Sequence, residues 1–290
     1  MYLVKQMKIG QKEQQLFLDI HDLIFVDMAY LLNNVYIKDD GTSYHEVYVR
    51  NILRDLEKQE YIKIYNIVND EHVRSYKRVF TLDRNGVEEV KALLGDSHWD
   101  NRWTERTPTY IYHALRGAHI KASFEAKKEE NVAELLDYNS FVSERNSFFQ
   151  YGKGKMDVIR PDGTLIFSTR EADISKVVYV PYFIEVERSR QMRSVSCNKL
   201  KRFDAYAKEK AYKEHERLER DISGNVRVLF ISEAEGEMNN LIKHTEGVPT
   251  TNLSAVLYTT YEQVITNPYG AIWRVKGKPD SLVCLTDKIK

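Results

Sequence analysis

Cysteine, proline and long apolar runs are scarce in this sequence of 290 residues. The two cysteines, Cys197 and Cys284, are far apart and lack the spacing of zinc ligands, so neither a disulfide framework nor a structural zinc site is expected. No stretch approaches the roughly 18 to 20 apolar residues that cross a bilayer, and no apolar signal segment is evident. We therefore expect a cytoplasmic protein in a reducing compartment, with no membrane partner.

An excess of one charge is also missing, because 43 lysines and arginines balance 43 aspartates and glutamates. Non-specific affinity for nucleic acid grows with the number of phosphates that a protein neutralises. A generic polyanion-binding protein is therefore disfavoured, and any contact with DNA must use local basic patches. The length suits two domains, each able to bury its own core.

Apolar residues in the N-terminal part recur at helical spacing. The pattern over 16–32 is broken at 24–27, which predicts two short helices. A third helix of about five turns is predicted after Ser43, its expected N-cap. Alternating residues in 62–82 then predict two antiparallel strands around a polar tip, and a last helix is expected to begin near Asp83.

Three helices, a hairpin and a closing helix in this order predict a winged helix-turn-helix in residues 1–100. In such a module the third helix enters the major groove of DNA, and the hairpin lies over the backbone or the minor groove. The side chains expected to contact DNA are Tyr44, His45, Tyr48, Arg50, Asn51, Arg54, Arg74, Lys77 and Arg78. The many acidic residues of the same segment favour the alternative, a winged helix that binds protein.

Residues 101–130 are predicted to be a linker and a connecting helix, which begins at Pro108. Residues 131–290 are predicted to be a second domain. Its expected elements are a helical segment, two strands, a long helix and a strand, at 131–149, 156–168, 176–189, 194–220 and 225–232. A short strand, a helix and a terminal segment with Trp273 follow, so the order is that of an α/β domain.

Acidic residues stand at the ends of the two predicted strands of this domain. Asp162 lies near the first, and Glu185 and Glu187 end the second, two residues apart and therefore on one face. Carboxylates from adjacent strands hold a hard divalent cation in metal-dependent phosphodiesterases, and a lysine such as Lys199 stabilises developing charge. We expect Asp162 and Glu185 to bind Mg²⁺ or Mn²⁺. Asp157 is a rival first carboxylate, because an Asp-Gly pair is also typical of hairpin turns.

These residues resemble the PD-(D/E)xK nuclease superfamily, with one departure. The motif has a lysine two residues after its acid, and this sequence has Glu187 at that position. The resemblance implies a restriction-endonuclease-like α/β domain in which Lys199 or Lys201 replaces the missing lysine. If Asp162 and Glu185 hold a metal ion, Glu187 is expected to be a further catalytic residue, either as a base or as a ligand of a second metal ion. Arg188 and the basic residues of the following helix are then expected to flank a phosphate backbone.

A second resemblance covers nearly the whole chain and is to the replication-relaxation family of plasmids and integrative elements. It rests on the predicted winged helix and on the segments RPDGTLIF, FIEVERS, KLKRF, NVRVLFIS and NPYGAIWRV. Glu187 stands where that family has aspartate, and Phe203 where a tyrosine is usual.

This resemblance implies a DNA-binding protein of replication or relaxation on mobile elements, with double-stranded DNA read site-specifically as its partner. Two alternatives stay open at this point. One is a metal-dependent DNA-nicking enzyme, and the other is a non-enzymatic regulator or adaptor with a degenerate nuclease-like domain. A homodimer is a further expected assembly.

Overall fold

The computed structural model describes residues 8–70, 73–96, 98–131, 136–169, 177–187, 193–213, 222–285 and 287, without the side chains of 68–70 and 73–76. This part of the chain is a mixed α and β protein with eight α-helices and a mixed sheet of seven strands. None of its helices has the length and apolar character needed to span a bilayer. The chain divides into two compact units, Met1–Ala118 (unit 1) and His119–Lys290 (unit 2).

Unit 1 combines helices with a three-stranded antiparallel sheet. Its elements are α1 (Gln11–Leu23), β1 (Val26–Asp27), α2 (Met28–Asn34), α3 (Glu46–Lys58), β2 (Ile62–Asp70), β3 (Val73–Leu82) and α4 (Arg84–Leu94). The strand order is β1-β3-β2. Leu16 and Ile20 of α1 and Leu53 and Leu56 of α3 are fully or almost fully buried, so the apolar faces that the sequence predicts do form the core.

The third helix of unit 1 is shorter than expected and begins later. It has 13 residues, and its N-cap is His45, whose ring accepts the N–H of Val47 at 3.3 Å. Ser43, the expected N-cap, instead donates its hydroxyl to the carbonyl of Leu32 at 2.7 Å. The prediction of Ser43 was wrong because the same hydroxyl can serve the preceding helix as well as the following one.

Unit 2 is built around the seven-stranded sheet. The division between the units falls within α5 (Pro108–Ala126), the helix that was expected to connect the domains. The elements that follow are β4 (Leu136–Ser143), β5 (Phe149–Gln150), β6 (Val158–Ile159), β7 (Gly163–Thr169), β8 (Tyr179–Glu187), α6 (Arg193–Lys208), β9 (Arg227–Ser232), α7 (Glu235–Thr245), β10 (Ala255–Thr260), α8 (Tyr261–Thr266), β11 (Trp273–Val275) and β12 (Lys278–Val283). The sheet order is β12-β11-β10-β9-β8-β7-β4. Strands β8, β9 and β10 are parallel, and the other neighbours are antiparallel.

Helices cover both faces of this sheet. Leu200 and Phe203 of α6 and Leu241 of α7 pack in the hydrophobic cluster on one face. Phe124 of α5 and Val264 of α8 pack in the cluster on the other face. Strands covered on both sides read as continuous apolar runs, which explains why β8 and β9 are recognisable in the sequence.

The segment 131–149, expected to be helical, contains the edge strand β4 instead. This strand pairs antiparallel with β7, and its register shifts between Tyr138 and Ser140. Such a β-bulge places an extra residue in the strand and breaks the alternation of apolar and polar residues. The prediction was wrong because the strict alternation that identifies a strand is absent here.

The long helix expected over 194–220 is shorter as α6. It ends at Lys208, and Lys210 has a left-handed backbone with φ 54°, a conformation that ends a right-handed helix. Residues 214–220 lie outside the described part of the chain. The elements β1, β5, α7 and β12 have no counterpart in the prediction, and the single strand expected over 156–168 is divided into β6 and β7.

Candidate active site

The four predicted catalytic residues come together at one end of the central strands of unit 2. Glu185 and Glu187 lie near the carboxyl end of β8, and Lys199 lies on α6, which covers this face of the sheet. Asp162 directly precedes β7, and its N–H donates to the carbonyl of Ile184 at 2.9 Å, which places it beside Glu185. Asp162, Glu185, Glu187 and Lys199 are called the carboxylate–lysine cluster below.

Lys199 binds both glutamates of β8. Its Nζ donates to Oε2 of Glu185 at 2.6 Å and to Oε1 of Glu187 at 3.1 Å. The two glutamates are only 2% and 4% exposed, and buried carboxylates require such partners. Lys201, the other predicted substitute for the missing lysine, is exposed on α6. Of the two candidates, the structure brings Lys199 to the cluster.

Asp162, and not its rival Asp157, faces the strand of the glutamates. Oδ2 of Asp162 accepts the N–H of Val186 at 2.6 Å. Asp157 closes a local turn instead, because its Oδ2 accepts the N–H of Gly154 at 2.8 Å. The Asp-Gly pair does not form a hairpin between β6 and β7, since β6 pairs with β5, and β7 pairs with β4 and β8.

Burial makes the ionised form of Glu185 costly. Burial first, and then the charge of Asp162, raise the pKa of Glu185 to about 8, although Lys199 opposes the shift. Burial by itself would lower the pKa of Lys199, but the charges of Glu185, Glu187 and Asp162 outweigh it and raise that pKa. The lysine therefore stays protonated, and the protein retains an ammonium beside a carboxyl that ionises reluctantly.

The donor set of the cluster fits a hard divalent cation. When all its groups are ionised, three carboxylates and one ammonium leave an excess of negative charge that a cation would offset. Asp162 and Glu185 are the residues that would hold it. Glu144, which the sequence did not single out, lies beside Asp162, because one of its carboxylate oxygens is within 4.8 Å of one of Asp162. Glu144 follows β4, the strand that was predicted to be helical.

The predicted DNA-contacting residues of unit 1 lie on α3, directly before it and on β3. Arg50 pairs with Glu46 one turn earlier at 2.5 Å, and Nη2 of Arg54 donates to Oδ1 of Asn51 at 2.8 Å. Arg50, Asn51 and Arg54 are all exposed. Exposed pairs of this kind contribute about 0 to 1 kcal/mol, so these side chains can exchange their partners for a ligand at small cost.

Aromatic side chains extend this exposed surface at the start of α3. Tyr48 is 53% exposed and stacks on Tyr44, with ring centroids 5.4 Å apart. The ammonium of Lys12 lies 5.2 Å from the ring centroid of Tyr44. The stack therefore presents a flat polar-edged surface at the start of α3.

Two other residues that were predicted to contact DNA have structural roles. His45 caps α3, as described above, and Lys77 forms an ion pair of 2.5 Å with Asp27. Asp27 is 1% exposed and is itself the N-cap of α2, where it accepts the N–H of Tyr30. Lys77 therefore stabilises the core of unit 1, a role that only the tertiary structure reveals.

Arg78, on β3, is exposed, as the prediction of a DNA contact requires. The side chain of Arg74 and the whole of Arg188 lie outside the described residues, so their predicted contacts stay predictions.

Comparisons with models of protein families, with curated proteins and with solved structures found no match to this chain. The fold and the site themselves define a mixed α and β protein with a buried carboxylate–lysine cluster where parallel strands end. Ligands of open α/β sheets bind at such carboxyl ends. The function is therefore inferred from the chemistry of the cluster and from the exposed face of α3.

Proposed function

We propose that the chain is a site-specific DNA-binding protein whose second unit cleaves a phosphodiester bond with the help of a divalent cation. The observation that carries the proposal is the ammonium of Lys199, 2.6 Å from Glu185 and beside a second strand that supplies Asp162. Adjacent strands provide the carboxylates and the next helix the lysine, in agreement with the resemblance to PD-(D/E)xK nucleases. The position of Lys199 supports its replacing the lysine that Glu187 displaces.

Each member of the carboxylate–lysine cluster has a distinct role in this proposal. Asp162 and Glu185 would hold the cation, which would supply Lewis acidity for a phosphoryl oxygen and a water. Lys199 stays protonated and stabilises negative charge that develops on the phosphate. Glu187 orients Lys199 through their hydrogen bond, and its own charge is offset by that ammonium. No nucleophile from the protein is required.

We infer that unit 1 is a winged helix-turn-helix that directs the cleavage to a DNA site. The order of α1, α2 and α3, the β2–β3 hairpin and α4 supports this inference, as does the exposed face of α3 with Tyr48, Arg50 and Arg54. α3 would lie in the major groove and the hairpin over the backbone. The resemblance to the replication-relaxation family adds that the DNA belongs to a plasmid or integrative element.

Nicking of a supercoiled plasmid tests the enzymatic part of the proposal. With Mg²⁺ or Mn²⁺ we expect the full chain to produce open circles, and a chelator to prevent this. Glu185→Ala should slow nicking by about 10³-fold or more while DNA binding by unit 1 is kept. Glu262→Ala, which removes an exposed carboxylate of α8, is the matched control and should nick like the wild type. Equal rates for Glu185→Ala and Glu262→Ala would refute the assignment.

A second candidate function is a non-enzymatic DNA-binding regulator or adaptor. It is favoured by the two hydrogen bonds of Lys199, which compensate both buried glutamates without a cation. In this case the cluster is a structural ion network. Absence of nicking by the wild type with either metal, together with specific DNA binding, would support this second function.

A further inference from the structure

The hydroxyl of Ser232 is buried beside the carboxylate–lysine cluster without a hydrogen bond. Ser232 is 1% exposed, and its Oγ has no hydrogen-bond partner within the described part of the chain. Buried hydroxyls in native proteins are nearly always paired, because an unpaired one has lost its water without compensation. An exception next to a candidate active site indicates a group that is directed toward a ligand.

The register of the sheet places this hydroxyl next to Glu187. Ser232 is the last residue of β9, and it is the partner of Glu187 in the parallel pairing of β8 and β9. Phe230, two residues earlier, packs in the cluster under α6 and α7, so Ser232 points to that same face. This is the face from which Lys199 contacts the two glutamates.

The position of Ser232 excludes a shared cation with Asp162. Asp162 precedes β7 and Ser232 ends β9, so β8 lies between them. Neighbouring strands are about 4.8 Å apart, so the backbones of the two residues lie about 10 Å apart, and the carboxylate of Asp162 is held by the N–H of Val186 on β8, the intervening strand. Two oxygens on one hard cation lie within about 5 Å of each other. The hydroxyl therefore serves another atom of the ligand.

We propose that Ser232 binds phosphate, its hydroxyl donating a hydrogen bond to a non-bridging oxygen of the phosphodiester. The inference rests on the proposed function of unit 2. A phosphate next to three carboxylates needs donors to offset their repulsion, and these would be Lys199, which binds Glu187, and Ser232, the partner of Glu187 on β9. The side chain of Lys199 is 28% exposed, whereas those of Glu185 and Glu187 are 3% and 5% exposed, so a phosphate reaches the cluster from the side of the lysine.

Ser232→Ala separates a ligand-binding hydroxyl from a structural one. In urea unfolding without ligand, we expect the variant to be as stable as the wild type or more stable, because an unpaired buried hydroxyl is removed. In single-turnover nicking by the full chain, we expect the rate to fall about 10- to 100-fold. Thr81→Val is the matched control, since it removes another buried hydroxyl without a described partner, in unit 1, and should leave the rate unchanged.

Inorganic phosphate distinguishes failure of this inference from failure of the proposed function. If the wild type does not nick DNA, the inference is decided by whether phosphate raises the melting temperature of the wild type more than that of Ser232→Ala. A larger rise of the melting temperature in the wild type supports the inference, and an equal rise in both proteins overturns it. Where the wild type nicks DNA, an equal rate for Ser232→Ala overturns it, as does a loss of stability in this variant.

Discussion

The two units hold their candidate functional residues in opposite environments. In unit 2, Glu185 and Glu187 are buried and share the ammonium of Lys199. In unit 1, Arg50 and Arg54 stand on an exposed face of α3 and bind residues of the same helix. Both sets consist of ordinary charged residues in a sequence whose formal net charge is zero.

This difference determines what each set can do. An exposed ion pair contributes about 0 to 1 kcal/mol, so the side chains of α3 can change partners with little loss of stability. Breaking a buried pair costs about 3 to 5 kcal/mol, so the carboxylate–lysine cluster keeps its geometry before any ligand arrives. Unit 1 is therefore suited to recognition, and unit 2 to chemistry that needs fixed positions.

Removal of the shared ammonium should have the largest effect. Lys199→Met keeps an apolar side chain of similar length but removes the ammonium that Glu185 and Glu187 share. We expect kcat for nicking to fall by about 100-fold or more with little change in KM, because the lysine acts on charge that develops during the reaction. Lys201→Met, on the exposed side of the same helix, is the control, and equal kcat values for the two variants would contradict the role of Lys199.

Lys77 differs from the exposed residues of α3, because its partner Asp27 is buried. Lys77→Met should lower the free energy of unfolding by about 2 to 4 kcal/mol, because Asp27 loses its cationic partner while 1% exposed. Lys63→Met is the matched control on the same hairpin, since Lys63 lies 3.9 Å from Asp83 and is more exposed. Urea unfolding measures both variants. A similar cost for the two would show that the Lys77 pair is as weak as a surface pair.

Arg54 tests the exposed face of α3 itself. Arg54→Ala should weaken specific DNA binding by about 1 to 3 kcal/mol and relax sequence preference, while stability changes by less than about 0.5 kcal/mol. Fluorescence anisotropy with duplex DNA at fixed salt measures the affinity. Lys58→Ala, at the end of the same helix, is the control. Unchanged affinity in Arg54→Ala would favour a protein partner for unit 1.

The pH dependence of stability should reveal the raised pKa of the buried Glu185 carboxyl. Glu185 keeps its proton in the folded chain up to about pH 8, whereas the unfolded chain releases it near the ordinary value of 4.5. Stability should therefore fall as pH rises through this window, by on the order of 1 kcal/mol per pH unit, and level off above it. The difference between the wild type and Glu185→Gln, measured in a chelating buffer, isolates this contribution. A difference that is constant or grows in favour of the wild type with pH would contradict the raised pKa.

Local patterns predicted most elements of the fold. The broken pattern over 16–32 predicted α1 and α2, and alternation in 62–82 predicted the β2–β3 hairpin, because both signals lie within single segments. Strand β4 could not be predicted in this way, since its bulge disrupts the alternation and only its pairing with β7 identifies it as a strand.

Spacing also predicted part of the site. Glu185 and Glu187 share a face because side chains alternate along a strand, and this follows from their numbers alone. The choice of Asp162 over Asp157 depends on which strand each neighbouring segment pairs with, which no local pattern encodes. Ser232 could not be found at all, because only the register of β8 and β9 places its hydroxyl beside Glu187.

Binding of Mn²⁺ to the full chain tests most directly the central claim, that Asp162 and Glu185 hold a divalent cation. Isothermal titration calorimetry should show about one ion per wild-type chain, held by these oxygen ligands. Glu185→Gln should bind at least about 10-fold more weakly, and Glu262→Gln should bind like the wild type. No binding to the wild type, or the same affinity in Glu185→Gln, would contradict the claim.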